Sequence, residues 1–130
     1  MIRSLLSAAL GLALAAAPPA TPEQIVQRQV DAYNAHDLEA FMATYATDAK
    51  VHFGLGADAK VLDPAGMRVR YGNTFKGPDL HCQILGRLVM GGRIIDREHV
   101  TGVPDVGVRE AVAIYQIKEG LIQEAWILVD

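Results

Sequence analysis

From residue 80 onward, glycine-bearing turns divide the chain into segments of strand length, 80 to 90, 93 to 103, 107 to 117 and 121 to 129, and no other feature limits the fold as strongly. The breaks are Gly91-Gly92, Pro104-Asp105-Val106-Gly107 and Lys118-Glu119-Gly120, which suit the positive backbone angles of tight hairpin loops. Segments joined so closely pair with their neighbours as an antiparallel sheet. Ahead of them the apolar residues recur at helical spacing instead. Thr21, Pro22 and Gln24 form a helix start, with a hydroxyl cap, a proline at the first helical position and a glutamine three residues past the cap. The helix they open, to about Ala35, carries Val26, Val30 and Tyr33 on one face. Asp37 caps a second, shorter helix with Leu38, Phe41, Met42 and Tyr45 on one side. The stretch KVHF reads as a short strand, and Asp63-Pro64 opens a third helix bearing Met67, Arg68, Tyr71 and Phe75. Helices followed by a run of antiparallel strands predict the α+β class. The architecture expected is a cone-shaped, curved, mainly antiparallel sheet covered by three helices from the N-terminal half, with a pocket inside.

The first twenty residues, MIRSLLSAALGLALAAAPPA, predict an export signal: Arg3, an apolar run from Leu5 to Ala17, then small residues suited to cleavage after Ala17 or Ala20. An apolar run of about 13 residues is short of the ~20 that span a bilayer, so stable membrane insertion is not expected once the signal is removed. Residues 21 to 130 then form one domain, periplasmic or secreted. Cys82 is the single cysteine, so no internal disulfide forms and packing alone must hold the fold. The net charge is −3 with acids and bases interspersed, which leaves no basic stripe for nucleic acid and no polybasic patch for lipid headgroups. Partners are expected to be small molecules or other proteins.

The stretch VQRQVDAYNAHDLEAFMATYATDAKVHF, with EAVAIYQIKEGLIQEAWIL downstream, resembles the nuclear transport factor 2-like superfamily, including its SnoaL-like and ketosteroid-isomerase-like branches. The segment IIDREHVTG is similar to a bacterial, steroid isomerase-like branch. The resemblance spans nearly all of the chain after the signal and implies a cystatin-like α+β roll, assembled as a homodimer. It leaves the reaction open, because this scaffold hosts isomerases, cyclases, hydrolases, dehydratases and non-catalytic binders. Ketosteroid isomerases use an aspartate base and an oxyanion hole of a tyrosine and a protonated aspartic acid. The resemblance sets those roles on Phe53, Gln29 and Ala113, and neither phenylalanine nor alanine can move a proton. Two supporting tyrosine positions of some isomerases match Tyr45 and Tyr71. The expectation is a retained pocket with altered chemistry.

The hairpin VMGGRIIDREHVTGV holds four ionisable residues in a row, Asp96, Arg97, Glu98 and His99. A two-residue Gly91-Gly92 turn sets Arg87 opposite Asp96, Gly86 opposite Arg97, Leu85 opposite Glu98 and Ile84 opposite His99. One face then holds Asp96 and Glu98 with His81, Gln83 and Arg87. The other holds Ile84, Leu88, Met90 and Ile95 with Arg97 and His99. Hydrophobicity buries the second face, whereas the resemblance turns Asp96 and Glu98 into the pocket; a one-residue slip exchanges the two. With the carboxylates inward, desolvation and mutual repulsion raise at least one pKa, making Glu98 or Asp96 a general base, with His52 as a second group and a tyrosine as donor. Tyr33, Phe41, Tyr45, Phe53, Tyr71 and Tyr115 would bound the ligand. With the carboxylates outward, Arg87 and Asp96 form an exposed ion pair worth only ~0.2 to 1 kcal/mol and Glu98 is solvated. The protein is then a binding or dimerisation module, with Trp126 on the convex face. Glu98 and His99 point to opposite sides of a regular strand, so no metal is expected. Neither a glycine-rich phosphate loop nor a nucleophile elbow is present in the sequence, so no cofactor is expected either. The anticipated ligand is small and largely apolar.

Overall fold

The computed structural model describes residues 11 and 17–130, so the expected export segment lies outside the described residues apart from Gly11 and the stretch 17 to 20. Helix α1 (Pro22–Asn34) begins as its sequence predicts. The Thr21 amide donates to Gln24 Oε1 at 2.9 Å and the Gln24 amide donates back to Thr21 Oγ1 at 3.2 Å, which satisfies two otherwise orphaned donors. Helix α2 (Leu38–Met42) is capped by Asp37, whose Oδ1 accepts from the Ala40 amide at 3.0 Å. It stops earlier than the apolar spacing suggests. The Thr44 hydroxyl donates to the Phe41 carbonyl at 2.7 Å, and the Thr44 carbonyl accepts from the Ile122 amide at 2.8 Å, so the chain leaves the helix and joins the sheet. Tyr45 therefore opens strand β1 (Tyr45–Phe53) instead of extending α2. A three-residue strand β2 (Lys60–Leu62), too short to show a period, follows. Helix α3 (Pro64–Thr74) is capped by Asp63, whose Oδ1 accepts from the Gly66 amide at 2.8 Å.

The four remaining strands are β3 (His81–Met90), β4 (Arg93–Val103), β5 (Gly107–Lys118) and β6 (Leu121–Val129), within a residue of the bounds read from the turns. The sheet order is β2-β1-β6-β5-β4-β3. Among the described strands only β1 and β6 run parallel. The α+β class with its mainly antiparallel sheet and three helices from the N-terminal half is thus the observed architecture. No helix among the described residues is long and apolar enough to cross a membrane.

Helices α1 and α3 cover one face of the sheet, and the core lies between. Phe41, wholly buried, sits amid an aromatic cluster, its ring centroid 4.5 Å from Tyr71 and 5.3 Å from both Tyr45 and Phe75. Truncating such a residue costs about 3 to 5 kcal/mol. The end of α1 is pinned to the edge strand β3: Asn34 Nδ2 donates to the Cys82 carbonyl at 2.9 Å, and the Cys82 amide donates to Asn34 Oδ1 at 2.7 Å. One side chain thereby replaces a missing strand partner and orients β3 against the helix.

The β3–β4 hairpin follows the predicted register only near its turn. Arg87 pairs with Asp96 and Gly86 with Arg97, but an irregularity between Ile84 and Gly86 leaves Leu85 unpaired, so Ile84 faces Glu98 and Gln83 faces His99. An unpaired residue reverses the facing of everything beyond it. On β3, Cys82 and Ile84 point toward the helices before the bulge, and Arg87 does so after it. Strand β4 keeps strict alternation, with Ile94, Asp96, Glu98 and Val100 buried. The hydrophobic reading of this hairpin is therefore overturned. Asp96 is 0% and Glu98 9% exposed, while Leu88 and Met90 are 67% and 69% exposed. Among the described residues the helices cover one side of the sheet, and that cover outweighs the composition of the two strand faces.

Candidate functional site

The inward ladder of β4 and β5 pairs Ile94 with Tyr115, Asp96 with Ala113, Glu98 with Ala111 and Val100 with Arg109. Ala113 is packed in the core, whereas Ala111 helps to line a cavity of about 90 Å³ that opens to solvent. The sheet contributes Glu98, Tyr115, Cys82 and Phe53 to its wall, α1 contributes Gln29 and Tyr33, and α3 contributes Arg70 and Tyr71. The rest of the lining is mainly aliphatic.

Glu98 is the buried acid of this wall. The Tyr115 hydroxyl donates to its Oε1 at 3.3 Å. Burial first, and the negative charge of Asp96 second, push the Glu98 carboxyl up to about 7; the Tyr115 hydroxyl, Arg87 and the Cys82 thiol oppose them only in part. At neutral pH such a group is divided between acid and base forms, the condition in which either direction of proton transfer is accessible. Burial also raises the hydroxyl pKa of Tyr33, Tyr45, Tyr71 and Tyr115, so each is a neutral donor at physiological pH. The Tyr33 and Tyr71 hydroxyls make no hydrogen bond to other described residues, yet neither oxygen is both sealed from solvent and unpartnered. Both therefore reach cavity space.

Asp96 shares the buried face but has another task. Arg87 Nε meets its Oδ1 at 2.6 Å and Arg87 Nη2 its Oδ2 at 2.8 Å, while Arg87 Nη1 donates to Gln27 Oε1 at 3.0 Å. The paired carboxylate is off the cavity wall, so this alternative candidate base serves as the partner of Arg87 and acts on Glu98 through space. The predicted Arg87–Asp96 pair exists, but buried, not at the surface.

The expected catalytic His52 lies on the opposite side of the sheet. Phe53, its neighbour, lines the cavity and Val51 is buried, so alternation sends His52 outward. There its Nε2 lies 3.2 Å from Glu124 Oε2 and its ring stacks on Trp126 at 5.2 Å between centroids. Of the six residues expected to bound the ligand, Tyr33, Phe53, Tyr71 and Tyr115 line the cavity. Phe41 and Tyr45 do not; they pack beneath it, where the Tyr45 hydroxyl accepts from Gln29 Nε2 at 3.2 Å. They are the floor under the wall. His99 turns away from Glu98 to meet Glu110. Among the described residues no group of three His, Cys, Asp or Glu side chains is arranged to hold a metal ion.

Arg70 and Arg109 are wall residues with no role in the sequence reading, which had Gln29 only at a lost tyrosine position and Cys82 only as a cysteine without a partner. Arg109 was legible in principle, since it keeps the same alternation as Ala111, Ala113 and Tyr115.

A family model described as SnoaL-like domain matches residues 26–125. Among solved structures, an uncharacterized cystatin-fold protein from Novosphingobium aromaticivorans has a TM-score of 0.73 at 21% identity, over 83% of this chain and 97% of that one. A proposed ketosteroid isomerase from Kribbella flavida has a TM-score of 0.68 at 17% identity, over 84% of this chain and 77% of that one. A proposed hydroxylase from Streptomyces galilaeus has a TM-score of 0.70 at 19% identity, over 84% and 78%. At such identities the likeness carries the fold and no activity. Among curated proteins, none matches the sequence.

Proposed function

Since this chain belongs to the SnoaL-like domain family, we propose that its cavity receives a small, largely apolar molecule and that Glu98 moves a proton on it without a cofactor, in chemistry of the isomerisation, cyclisation or dehydration type. The observation that supports this is a buried carboxyl with a pKa near 7 on the wall of an open cavity, beside neutral tyrosine donors. In the simplest step, ionised Glu98 takes a proton from carbon next to a carbonyl. The C–H electron pair moves toward the carbonyl oxygen, which a Tyr71 or Tyr33 hydroxyl stabilises as charge develops. Protonated Glu98 then returns the proton at another carbon, or to a departing hydroxyl that leaves as water. This is a different set of groups from that of the ketosteroid isomerases, whose acid and base positions correspond here to Ala113 and Phe53.

The test is exchange of the α-protons of small cyclic ketones in deuterated water, followed by NMR. Expected are a rate that inflects near pH 7 and a loss of about 10²-fold or more in Glu98→Gln. Undiminished exchange in that variant would sink the catalytic reading.

A second reading, a ligand-binding or dimerisation module without turnover, draws on the sheet face that bears Trp126, away from α1 and α3. There Val61, His52, Trp126, Ile114, Ile95 and Leu88 form one cross-strand row over all six strands. A homodimer through this face belongs to both readings; Trp126→Glu should then yield monomers in sedimentation. Binding without turnover would appear as ligand-dependent stabilisation and no proton exchange. Export to the periplasm or medium is likewise proposed, from residues 1 to 20, and N-terminal sequencing of the mature protein should find cleavage after Ala17 or Ala20.

A further inference from the structure

The charges around the cavity do not balance. Its wall carries two guanidinium groups, Arg70 and Arg109, against the single carboxyl of Glu98, so it is positive in either protonation state of that acid, in a chain whose formal net charge is −3. Neither arginine is in an ion pair with a described acid. The contrast with Arg87, bound through two nitrogens to Asp96 on the same side of the sheet, is direct.

The two guanidiniums come from different walls. Arg70, on α3, has its guanidinium carbon over the Phe53 ring, 3.8 Å from the centroid, a cation–π contact that uses none of its N–H donors. Arg109, on β5, is opposite Val100, one step along the ladder from Glu98 and Ala111. The same cavity wall carries the Tyr33 and Tyr71 hydroxyls, whose ionised forms Arg109 and Arg70 respectively favour, although burial dominates both. Arg70 and Arg109 are half-buried, whereas Tyr71, Glu98 and Tyr115 are buried, so the arginines stand nearer the opening. The same wall also carries the aliphatic side chains of Val30, Val100 and Ile127.

We propose that the ligand is a small organic anion, its carboxylate held near the cavity mouth by Arg70 and Arg109 and its apolar body directed inward toward Glu98. A planar guanidinium matches a carboxylate through paired N–H donors, and the Tyr33 and Tyr71 hydroxyls supply further donors to the same group. A cavity of about 90 Å³ suits an inner body of roughly one ring, which separates this class from nucleotides. The inference rests on the pocket reading above and names the chemistry of the molecule bound.

The test compares benzoate with its uncharged isostere benzamide, titrated against the full chain by calorimetry and by NMR. Benzoate should bind about tenfold or more tightly, since hydrogen bonds to a charged group are the stronger kind, and the preference should shrink between about 0.05 and 0.5 M salt. Arg70→Gln with Arg109→Gln should erase the preference by weakening benzoate about tenfold more than benzamide. Arg70→Lys with Arg109→Lys, which keeps charge but loses the fork, should retain part of it, and serves if the glutamine pair does not fold. Equal affinity of the native protein for both probes, or a preference that survives in the glutamine pair, overturns the inference and leaves the pocket reading standing. Failure of both probes to bind overturns the two together.

Discussion

Replacing Glu98 with glutamine should make the protein less sensitive to pH, and above neutrality more stable. The glutamine keeps the shape and mimics the protonated acid. In the folded chain the carboxyl pKa is about 7, against an ordinary 4.5, chiefly because burial penalises the charge. The folded state thus holds this proton more tightly than the unfolded state does. Between about pH 4.5 and 7 folding takes up a proton, so native stability falls as pH rises; below that window both states are protonated and nothing is lost. A carboxyl moved from 4.5 to about 7 accounts for about 3 kcal/mol, fully expressed above pH 7. The assay is urea unfolding of both proteins at pH 5, 6, 7 and 8. Taking the difference between them cancels the histidines and every other group common to both. Near pH 5 the two should unfold at similar urea concentrations. By pH 8 the Glu98→Gln midpoint should exceed the native one by about 2 M, for a slope at the lower end of the usual range. Parallel curves from pH 5 to 8 would mean that Glu98 titrates as an ordinary carboxyl, and the argument for it as a proton carrier would fail. A variant less stable at pH 8 would show that Arg87 and Tyr115 outweigh burial, and would refute it equally.

Asp96→Asn removes one member of a buried ion pair and leaves Arg87 without its counter-charge, which should cost about 3 to 5 kcal/mol in urea unfolding. Because the Asp96 charge helps to raise the Glu98 pKa, the same variant should lower the inflection of any Glu98-dependent rate; an unchanged inflection would mean that burial alone sets it. Gly102→Ala should destabilise by about 3 kcal/mol or more in the same assay, since its φ is +67° and an added Cβ would meet the Asp79 carbonyl oxygen at 2.2 Å. A loss below about 1 kcal/mol would show that the neighbouring loop yields easily.

Much of the fold was legible because its signals are local. The Thr21–Gln24 capping box, the Asp37 and Asp63 caps and the hairpin turns act over a few residues, and each formed where it was expected. The pairing of Arg87 with Asp96 was legible for the same reason, since it lies close to the Gly91-Gly92 turn that sets its register. Tyr45 was misjudged because helical spacing continued for one residue past the point where Thr44 hands the chain to β6.

The site depended on relations that no local pattern carries. Unpaired Leu85 reverses the facing of β3, and a bulge of one residue leaves little trace in composition. His52 faces outward because β1 runs beside β6 and Phe53 takes the inner position, a pairing between segments some seventy residues apart. Asp96 and Glu98 look alike in sequence, yet Arg87 forks onto Asp96 alone, while Glu98 has no ion-pair partner among the described residues and burial raises its pKa. Order, caps and turns are read from neighbouring residues, whose energies are local. Which face is buried, and which acid is left unpaired, depends on where α1 and α3 come to rest on the sheet, and that is a property of the whole packed chain.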